Sequence, residues 1–319
     1  MRASLLCLSC LLLAACAADP RADTGLPALP EGVEAVSLLG DSLRPPPMSD
    51  AVREDREANF AEAQTAYEAN PDDADAIIWL GRRTAYLGRY REAIAVFTEG
   101  IAKHPDDARM YRHRGHRYIS VRMFSNAIDD FEKAASLIAG RPDEVEQDGL
   151  PNARNIPTST LQSNIWYHLG LAFYLTRDYE NAARAYAECT KVSNNPDMFV
   201  ATAYWNYMTL RRLGRSQEAS DVLEEISEDM DIIENGTYQE LLLLFKGQRQ
   251  PQDVMDTRGD ADVPLSNATV GYGVGNYFAF MGAEGQAEDV WRQVLQGSQW
   301  SGFGFVAAEA EVALLEVGL

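Results

Sequence analysis

The feature that most restricts how this chain can fold is a 34-residue interval between similar residues. It relates two consecutive stretches, "IIWLGRRTAYLGRYREAIAVFTEGIAKHPDDA" and "MYRHRGHRYISVRMFSNAIDDFEKAASL". A glycine, an alanine, a phenylalanine and a proline recur at this interval; the pairs are Gly81 and Gly115, Ala93 and Ala127, Phe97 and Phe131, and Pro71 and Pro105. A fixed period of roughly 20–50 residues is typical of architectures in which each unit stacks on its neighbour.

Glycine at position 8, alanine at 20, an aromatic residue at 24 and proline at 32 resemble the tetratricopeptide repeat (TPR). Each unit of that family is a pair of helices, here called A and B. Small residues such as Gly81 and Ala93 let the two helices approach closely, and Pro105 stops helix B because proline cannot continue the helical hydrogen bonds. The resemblance implies an all-α fold, a right-handed α-solenoid with a concave groove.

The repeat pattern divides the chain into segments. We expect a solenoid over residues 50–319, with repeats at about 74–107, 108–136, 163–196, 200–228 and 268–298 and a capping helix at 301–317. The third and fifth repeats keep the glycine, as Gly170 and Gly275, whereas the fourth is a weaker match with Tyr207 there. An insertion lies near residues 137–162, and residues 227–266 contain the apolar stretch "YQELLLLFKG".

The N-terminus carries a targeting pattern. Residues 1–15 combine a cationic start, an apolar run and small residues, as in a secretory signal peptide. Leu13-Ala14-Ala15-Cys16 resembles the bacterial lipobox, which implies that Cys16 is acylated; an ordinary signal peptide with a chance cysteine is the alternative. We expect residues 16–49, which are rich in proline, to form a lipidated tether.

Ala17, not aspartate, follows Cys16. In enterobacterial lipoproteins this implies the outer membrane, with the periplasmic face as the expected side and surface exposure left open. Cys189 would then be the single thiol of the processed chain, and we expect it to be buried without a disulfide.

Charge and motifs exclude several classes of function. A net charge of −20 argues against nucleic-acid binding, which needs basic surface. No G-x-S-x-G, H-E-x-x-H or C-x-x-C motif follows residue 16, so we expect no enzymatic activity and no cofactor. His113, His116 and His168 could be imagined as zinc ligands, but no carboxylate in the repeat supports them, and we interpret them as surface or groove residues without a metal.

Positive charge is concentrated in the second repeat. Residues 108–128 hold five arginines and no carboxylate. At 100° per residue, Arg109, Arg112 and His116 share one face, with Arg117 about 80° from Arg109. In the TPR family, positions 2, 5, 9 and 12 of helix A line the groove. The residues predicted to line it here are Arg82, Arg109, Arg112, His116, Tyr167, Tyr174, Tyr204 and Arg211.

Two interpretations of this cluster remain open. The arginines could bind the acidic segment or C-terminal carboxylate of a partner, with the tyrosines supplying apolar contact. They could equally pair with the acidic insertion "GRPDEVEQDG" of the chain itself. The expected function is a non-enzymatic, lipid-anchored scaffold or adaptor that binds a peptide or protein segment in the bacterial cell envelope. The alternative is a glycan- or nutrient-binding outer-membrane lipoprotein similar to the SusD type.

Overall fold

The computed structural model describes residues 25–256 and 264–318. The predicted signal peptide, Cys16 and the start of the expected tether lie outside them. Within these ranges the chain forms fourteen α-helices and one short hairpin. The helices are α1 (Asp50–Ala69), α2 (Ala74–Tyr86), α3 (Tyr90–Lys103), α4 (Ala108–Ser120), α5 (Phe124–Ile138), α6 (Leu161–Leu175), α7 (Tyr179–Val192), α8 (Pro196–Arg212), α9 (Ser216–Glu224), α10 (Gly236–Phe245), α11 (Pro251–Asp256), α12 (Pro264–Phe280), α13 (Glu284–Val294) and α14 (Phe303–Glu316); the strands are β1 (Ala35–Val36) and β2 (Ser42–Leu43). The expectation of an almost entirely helical chain is confirmed for these residues.

The helices pack as consecutive pairs. Helices α2 and α3, α4 and α5, α6 and α7, α8 and α9, and α12 and α13 contact each other, at the places of the five predicted repeats. The first helix of each pair also contacts the first helix of the next, so α2, α4, α6, α8, α10 and α12 form one continuous layer. Helices α10 and α11 also contact each other. The apolar run at residues 241–244 of α10 is fully buried, and α10 packs against α8 and α12.

The glycine of helix A fits against the aromatic ring of helix B. A Cβ atom at Gly115 would lie 2.9 Å from Phe131 Cζ, and one at Gly170 would lie 2.6 Å from Tyr186 Cε1. Neither distance is compatible with a real side chain. The aromatic rings therefore occupy the space that the missing side chains leave.

The connections between helices follow from local chemistry. Asp107 caps α4 by accepting a hydrogen bond from the Arg109 amide, as expected for an aspartate at a helix start. The turn from helix A to helix B needs a left-handed residue, supplied by glycine at Gly88 (φ 77°) but by arginine at Arg122 (φ 65°) and Arg177 (φ 62°).

Residues 25–49 do not form the expected free tether, and this prediction is wrong for them. They fold back as the β1–β2 hairpin, with Ala35 only 2% exposed. The Glu34 carboxylate accepts a hydrogen bond from the Arg91 amide of α3 at 2.9 Å, and burial raises the pKa of Glu34. Prolines alone do not make a linker when alternate residues between them can be buried.

Helix α14 does more than cap the array. It packs on α12 and α13, as a cap would, and also contacts α6. Its Glu309 pairs with Arg122 at 2.7 Å, with both side chains almost fully buried. Glu309 Oε1 also accepts the Leu38 amide at 2.6 Å. The two ends of the described chain therefore meet. No helix among the described residues is long and apolar enough to cross a membrane.

Candidate functional site

Two of the predicted groove arginines are held by the insertion. Arg112 is 8% exposed and its Nη2 pairs with Glu146 Oε1 at 3.0 Å. Arg82 Nη2 donates to the carbonyl oxygen of Gln147 at 2.8 Å. Burial lowers the pKa of Arg112, although the Glu146 carboxylate opposes that shift. For Arg82 and Arg112 the structure therefore agrees with the second interpretation, in which the acidic insertion folds onto the arginines.

Arg109 lies at the start of α4, apart from this contact. It pairs with Asp107 at 2.6 Å and with Asp75 of the preceding repeat at 2.7 Å. These carboxylates hold its pKa above the usual value for arginine. The side chain is 38% exposed, so it links two repeats near the surface.

The three predicted groove tyrosines are core residues, and this is a correction to their expected exposure. Tyr167 Oη accepts a hydrogen bond from Trp205 at 2.9 Å, and Tyr174 and Tyr272 share one at 2.7 Å. Tyr204 has no exposed surface. Helices α10 and α12 and Phe303 cover this part of the A-helix layer, so the tyrosines form no exposed platform of the kind that glycan binding requires.

Arg211, the last predicted groove residue, lies on apolar surface. Its guanidinium carbon is 4.5 Å from the centre of the Phe280 ring, a cation–π contact. Its Nη1 donates to Tyr207 Oη at 2.8 Å. The structure therefore does not bring Arg211 together with the arginines of α2 and α4.

An open cavity remains between α2, α4 and residues 299–303, and we call it the outer cavity. Its volume is about 380 Å³. It contains no carboxylate among its lining residues, which are Arg56, Ala85, Tyr86, Tyr90, His116, Arg117, Ser120, Tyr238, Thr269, Gln299, Ser301, Gly302 and Phe303. The predicted groove residue His116 is thus a wall of a real cavity.

Arg117 is a candidate functional residue that lies at none of the groove positions 2, 5, 9 and 12 of helix A, so the repeat pattern did not select it. Its guanidinium lies 5.4 Å from the Tyr90 ring centre and has no hydrogen-bond or ion-pair partner within the described residues. Burial, opposed in part by Tyr90, lowers its pKa to about 10. The signal in the sequence that could have identified Arg117 is its angle of about 80° from Arg109 on the helical wheel.

The outer cavity continues in two directions. Towards the surface it shares Arg56, Tyr86, Tyr90 and Gln299 with a mouth of about 640 Å³, which Pro46, Pro47 and Met48 border. Towards the insertion it shares Ala85, Tyr86, His116 and Arg117 with an inner cavity of about 260 Å³. The mouth, the outer cavity and the inner cavity adjoin through these shared lining residues, and we call the three together the crevice.

Three imidazoles lie beside the crevice. The ring centres of His116 and His168 are 4.6 Å apart, and His113 stacks on Phe97 at 5.5 Å. Burial is the largest cause that lowers the pKa of all three, and nearby arginines add to it. Arg112 Nη1 donates to His113 Nδ1 at 3.0 Å, so that ring nitrogen carries no proton. In the described ranges no group of three or more His, Cys, Asp or Glu is placed to hold a metal ion.

Cys189 is fully buried and has no disulfide partner among the described residues, as predicted. Burial raises the pKa of its thiol to about 11. The thiolate that reacts with electrophiles is therefore scarce near neutral pH.

Comparison with known proteins agrees with the helical pairing. Residues 163–196 match the family described as tetratricopeptide repeat. A search of curated proteins found no significant match.

The solved structures that resemble the chain include YrrB, a protein from Parabacteroides merdae and MamA. YrrB, described as a TPR protein with an unusual peptide-binding site, is 16% identical; the match covers 81% of this chain and 98% of YrrB, with a TM-score of 0.41. A tetratricopeptide repeat protein from Parabacteroides merdae is 13% identical over 81% of this chain and 93% of its own, with a TM-score of 0.47. MamA is 14% identical over 64% of this chain and 99% of its own, with a TM-score of 0.43. From the family match and the packing of its helices, the chain contains a tetratricopeptide repeat at residues 163–196, set within an array of helical pairs.

Proposed function

We propose that this protein is a non-enzymatic scaffold in the bacterial cell envelope, anchored by lipid at Cys16, and that it binds the acidic end of a partner's chain in the crevice. The supporting observation is the charge of the outer cavity. Arg56 and Arg117 both line it, and neither has a carboxylate partner among the described residues. An acidic segment or a C-terminal carboxylate would supply the missing charge.

The chemistry of the two arginines suits this ligand. A guanidinium presents a planar fork that can bind a carboxylate through two hydrogen bonds. Arg56 Nη1 already donates to the Tyr86 carbonyl oxygen at 2.6 Å, which fixes the direction of that side chain. In a partly enclosed cavity a charge pair is screened less by salt than it is on the surface.

The shape of the crevice favours a chain end over a folded surface. The ligand would pass Pro46 and Pro47 at the mouth and reach the rings of Tyr86, Tyr90 and Phe303 in the outer cavity. These rings can pack against the apolar parts of an extended segment. The rest of the acidic surface would repel anions that do not enter.

The proposed anchor is compatible with this arrangement. Residues 16 and 25 are separated by nine peptide links. A fully extended chain covers about 3.3–3.6 Å per residue, so the folded body would begin within roughly 30 Å of the lipid. Anchoring is tested by palmitate labelling. We expect Cys16→Ser to abolish the labelling and to release the protein from the membrane fraction. Labelling that persists in this variant would contradict the lipoprotein proposal.

The binding proposal is tested with a short fluorescent peptide that ends in glutamates and a free carboxylate. We expect Arg117→Glu and Arg56→Glu each to weaken binding at least tenfold and wild-type binding to weaken with salt. The matched control is Arg184→Glu, the same change of charge at an exposed position of α7. Equal loss in the control, or unchanged binding in both crevice variants, would overturn the proposal. Crosslinking from native membranes would then identify the partner.

A further inference from the structure

The inner cavity differs in charge from the outer one. Its lining residues include three arginines and three carboxylates, namely Arg82, Arg112, Arg117, Glu146, Asp148 and Glu234. The lowered pKa values of His113 and His116 keep the imidazoles in its wall neutral at neutral pH. The cavity is therefore balanced in charge, unlike the outer cavity, which has arginines alone.

Four of these six side chains already have a hydrogen-bond or ion-pair partner within the chain. Arg112 pairs with Glu146, and Arg82 donates to the carbonyl oxygen of Gln147. The Glu234 carboxylate accepts hydrogen bonds from Asn152 and Thr158, both at 2.7 Å. These contacts leave two of the six side chains unaccounted for.

The two remaining groups have opposite charge. Arg117 and Asp148 have neither a hydrogen-bond nor an ion-pair partner in the part of the chain that the structure describes. Both line the inner cavity of about 260 Å³. Burial and the nearby Glu234 carboxylate raise the pKa of Asp148, and the positive charge of Arg82 opposes this shift only in part. A cationic ligand group beside Asp148 would lower the free-energy cost of keeping its carboxylate charged in the cavity. An anionic group would do the same for the Arg117 guanidinium.

The Arg112–Glu146 ion pair in the wall of this cavity is itself incompletely satisfied. Arg112 Nε and Glu146 Oε2 are buried and have no hydrogen-bond partner. One is a donor and the other an acceptor, and buried polar atoms of this kind are normally satisfied by a partner, water or a ligand. The pair thus lacks an acceptor at Arg112 Nε and a donor at Glu146 Oε2.

The volume and the lining of the inner cavity limit which ligands could carry both a donor and an acceptor into it. The volume lies just below the roughly 300–1,000 Å³ of pockets that hold drug-sized ligands. Tyr86 and Phe97 add aromatic surface to the wall. The occupant should therefore be small, carry one charge of each sign and have an apolar part.

We propose that the inner cavity binds a free α-amino acid, with its carboxylate at Arg117 and its ammonium group at Asp148. This goes beyond the proposed function, because the ligand is a small zwitterion and not a partner's chain. A simple anion would leave Asp148 unpaired, and a simple cation would leave Arg117 unpaired. The net neutral charge of the cavity matches a net neutral ligand.

The test begins with thermal shift of the purified protein against each standard L-amino acid at millimolar concentration. A ligand that binds only the folded state raises the unfolding temperature. The best amino acid is then compared, by calorimetry, with its analogue without the ammonium group and its analogue without the carboxylate. We expect both analogues to bind at least tenfold more weakly. No shift with any amino acid, or equal binding of either analogue, would overturn the proposal.

Variants separate this site from the partner site. Asp148→Asn and Arg117→Gln should each weaken amino-acid binding at least tenfold, whereas Arg56→Glu should leave it unchanged. Asp148→Asn should in turn leave capture of the acidic peptide intact. Circular dichroism would establish that each variant is folded. Unchanged amino-acid binding in folded Asp148→Asn would refute the inference even if acidic-peptide capture is confirmed.

Discussion

At the scale of single residues, two arginines occupy backbone positions that favour glycine. Arg122 and Arg177 stand in left-handed turns where other repeats have Gly88 or Gly214. Both side chains reach helix α14, Arg122 to Glu309 and Arg177 to Glu311. The positive φ costs about 1–2 kcal/mol for a residue with a side chain. The contact to α14 offers a physical reason for arginine at both turns.

We therefore predict different results for two matched substitutions. Arg122→Gly removes the backbone cost but leaves Glu309 buried without its cation, and loss of one partner of a buried pair costs about 3–5 kcal/mol. The net result should be a lower free energy of unfolding. Arg177→Gly should be nearly neutral, because the Arg177 side chain is 44% exposed and Glu311 keeps Arg212 at 2.6 Å. Urea unfolding measures both, and equal stability of the two variants would contradict the prediction.

The buried histidines predict how stability depends on pH. The folded-state pKa values of His113, His116 and His168 lie below the ordinary value of 6.5. Below about pH 6.5 the unfolded chain binds protons that the folded chain does not, so the unfolding free energy falls by up to about 1.4 kcal/mol per pH unit for each histidine. This loss continues down to the folded-state pKa values.

Unfolding curves between pH 7.5 and pH 5 measure the effect. Replacing His116 by asparagine should make the pH dependence shallower, since one titrating group is removed. A steeper or identical slope in the His116 variant would show that other groups cause the loss.

At the scale of helices, the packing of each pair was predictable from sequence. Gly115 and Phe131 sit at fixed positions of one unit, and each unit packs by contacts within about 34 residues. We expect Gly115→Leu to destabilise the protein by about 1–3 kcal/mol, because the added side chain overlaps Phe131. Gly285→Ala in α13 should instead be neutral or stabilising, since nothing lies near its Cβ position. Thermal unfolding of both variants tests this contrast.

The parts that sequence did not predict depend on contacts across the array. Tyr167 and Tyr204 stand at groove positions of their repeats, but α10 and Phe303 cover them from far along the chain. The pairing of Arg112 with Glu146 depends on the path of an insertion without repeat spacing. The contacts that hold residues 25–49 on the array, such as Glu34 with the Arg91 amide and the Leu38 amide with Glu309, likewise join segments far apart in the chain. Repeat spacing specifies neighbours in the array and carries no information on these distant contacts.

At the scale of the whole molecule, the array is closed by contact between its ends. Trp300 Nε1 donates to the Arg44 carbonyl oxygen at 2.5 Å, and its ring packs edge-on against Tyr90 at 5.3 Å. Tyr90 Oη also donates to Ser301 Oγ at 2.8 Å. In an open solenoid each repeat contacts only its neighbours, so a defect at one end remains local. Closure should instead couple α3 to α14.

We predict that Trp300→Ala weakens both ends of the array together. The side chain is 5% exposed and large, so its removal should cost about 3–5 kcal/mol. Native-state hydrogen exchange should then show faster exchange in residues 33–44 and in α3 as well as in α14. Trp291→Ala, inside the α12–α13 contact, is the control for a loss of similar size that does not break the closure. If Trp300→Ala accelerates exchange only in α12–α14, the ends are in contact without being coupled, and the protein behaves as an open solenoid.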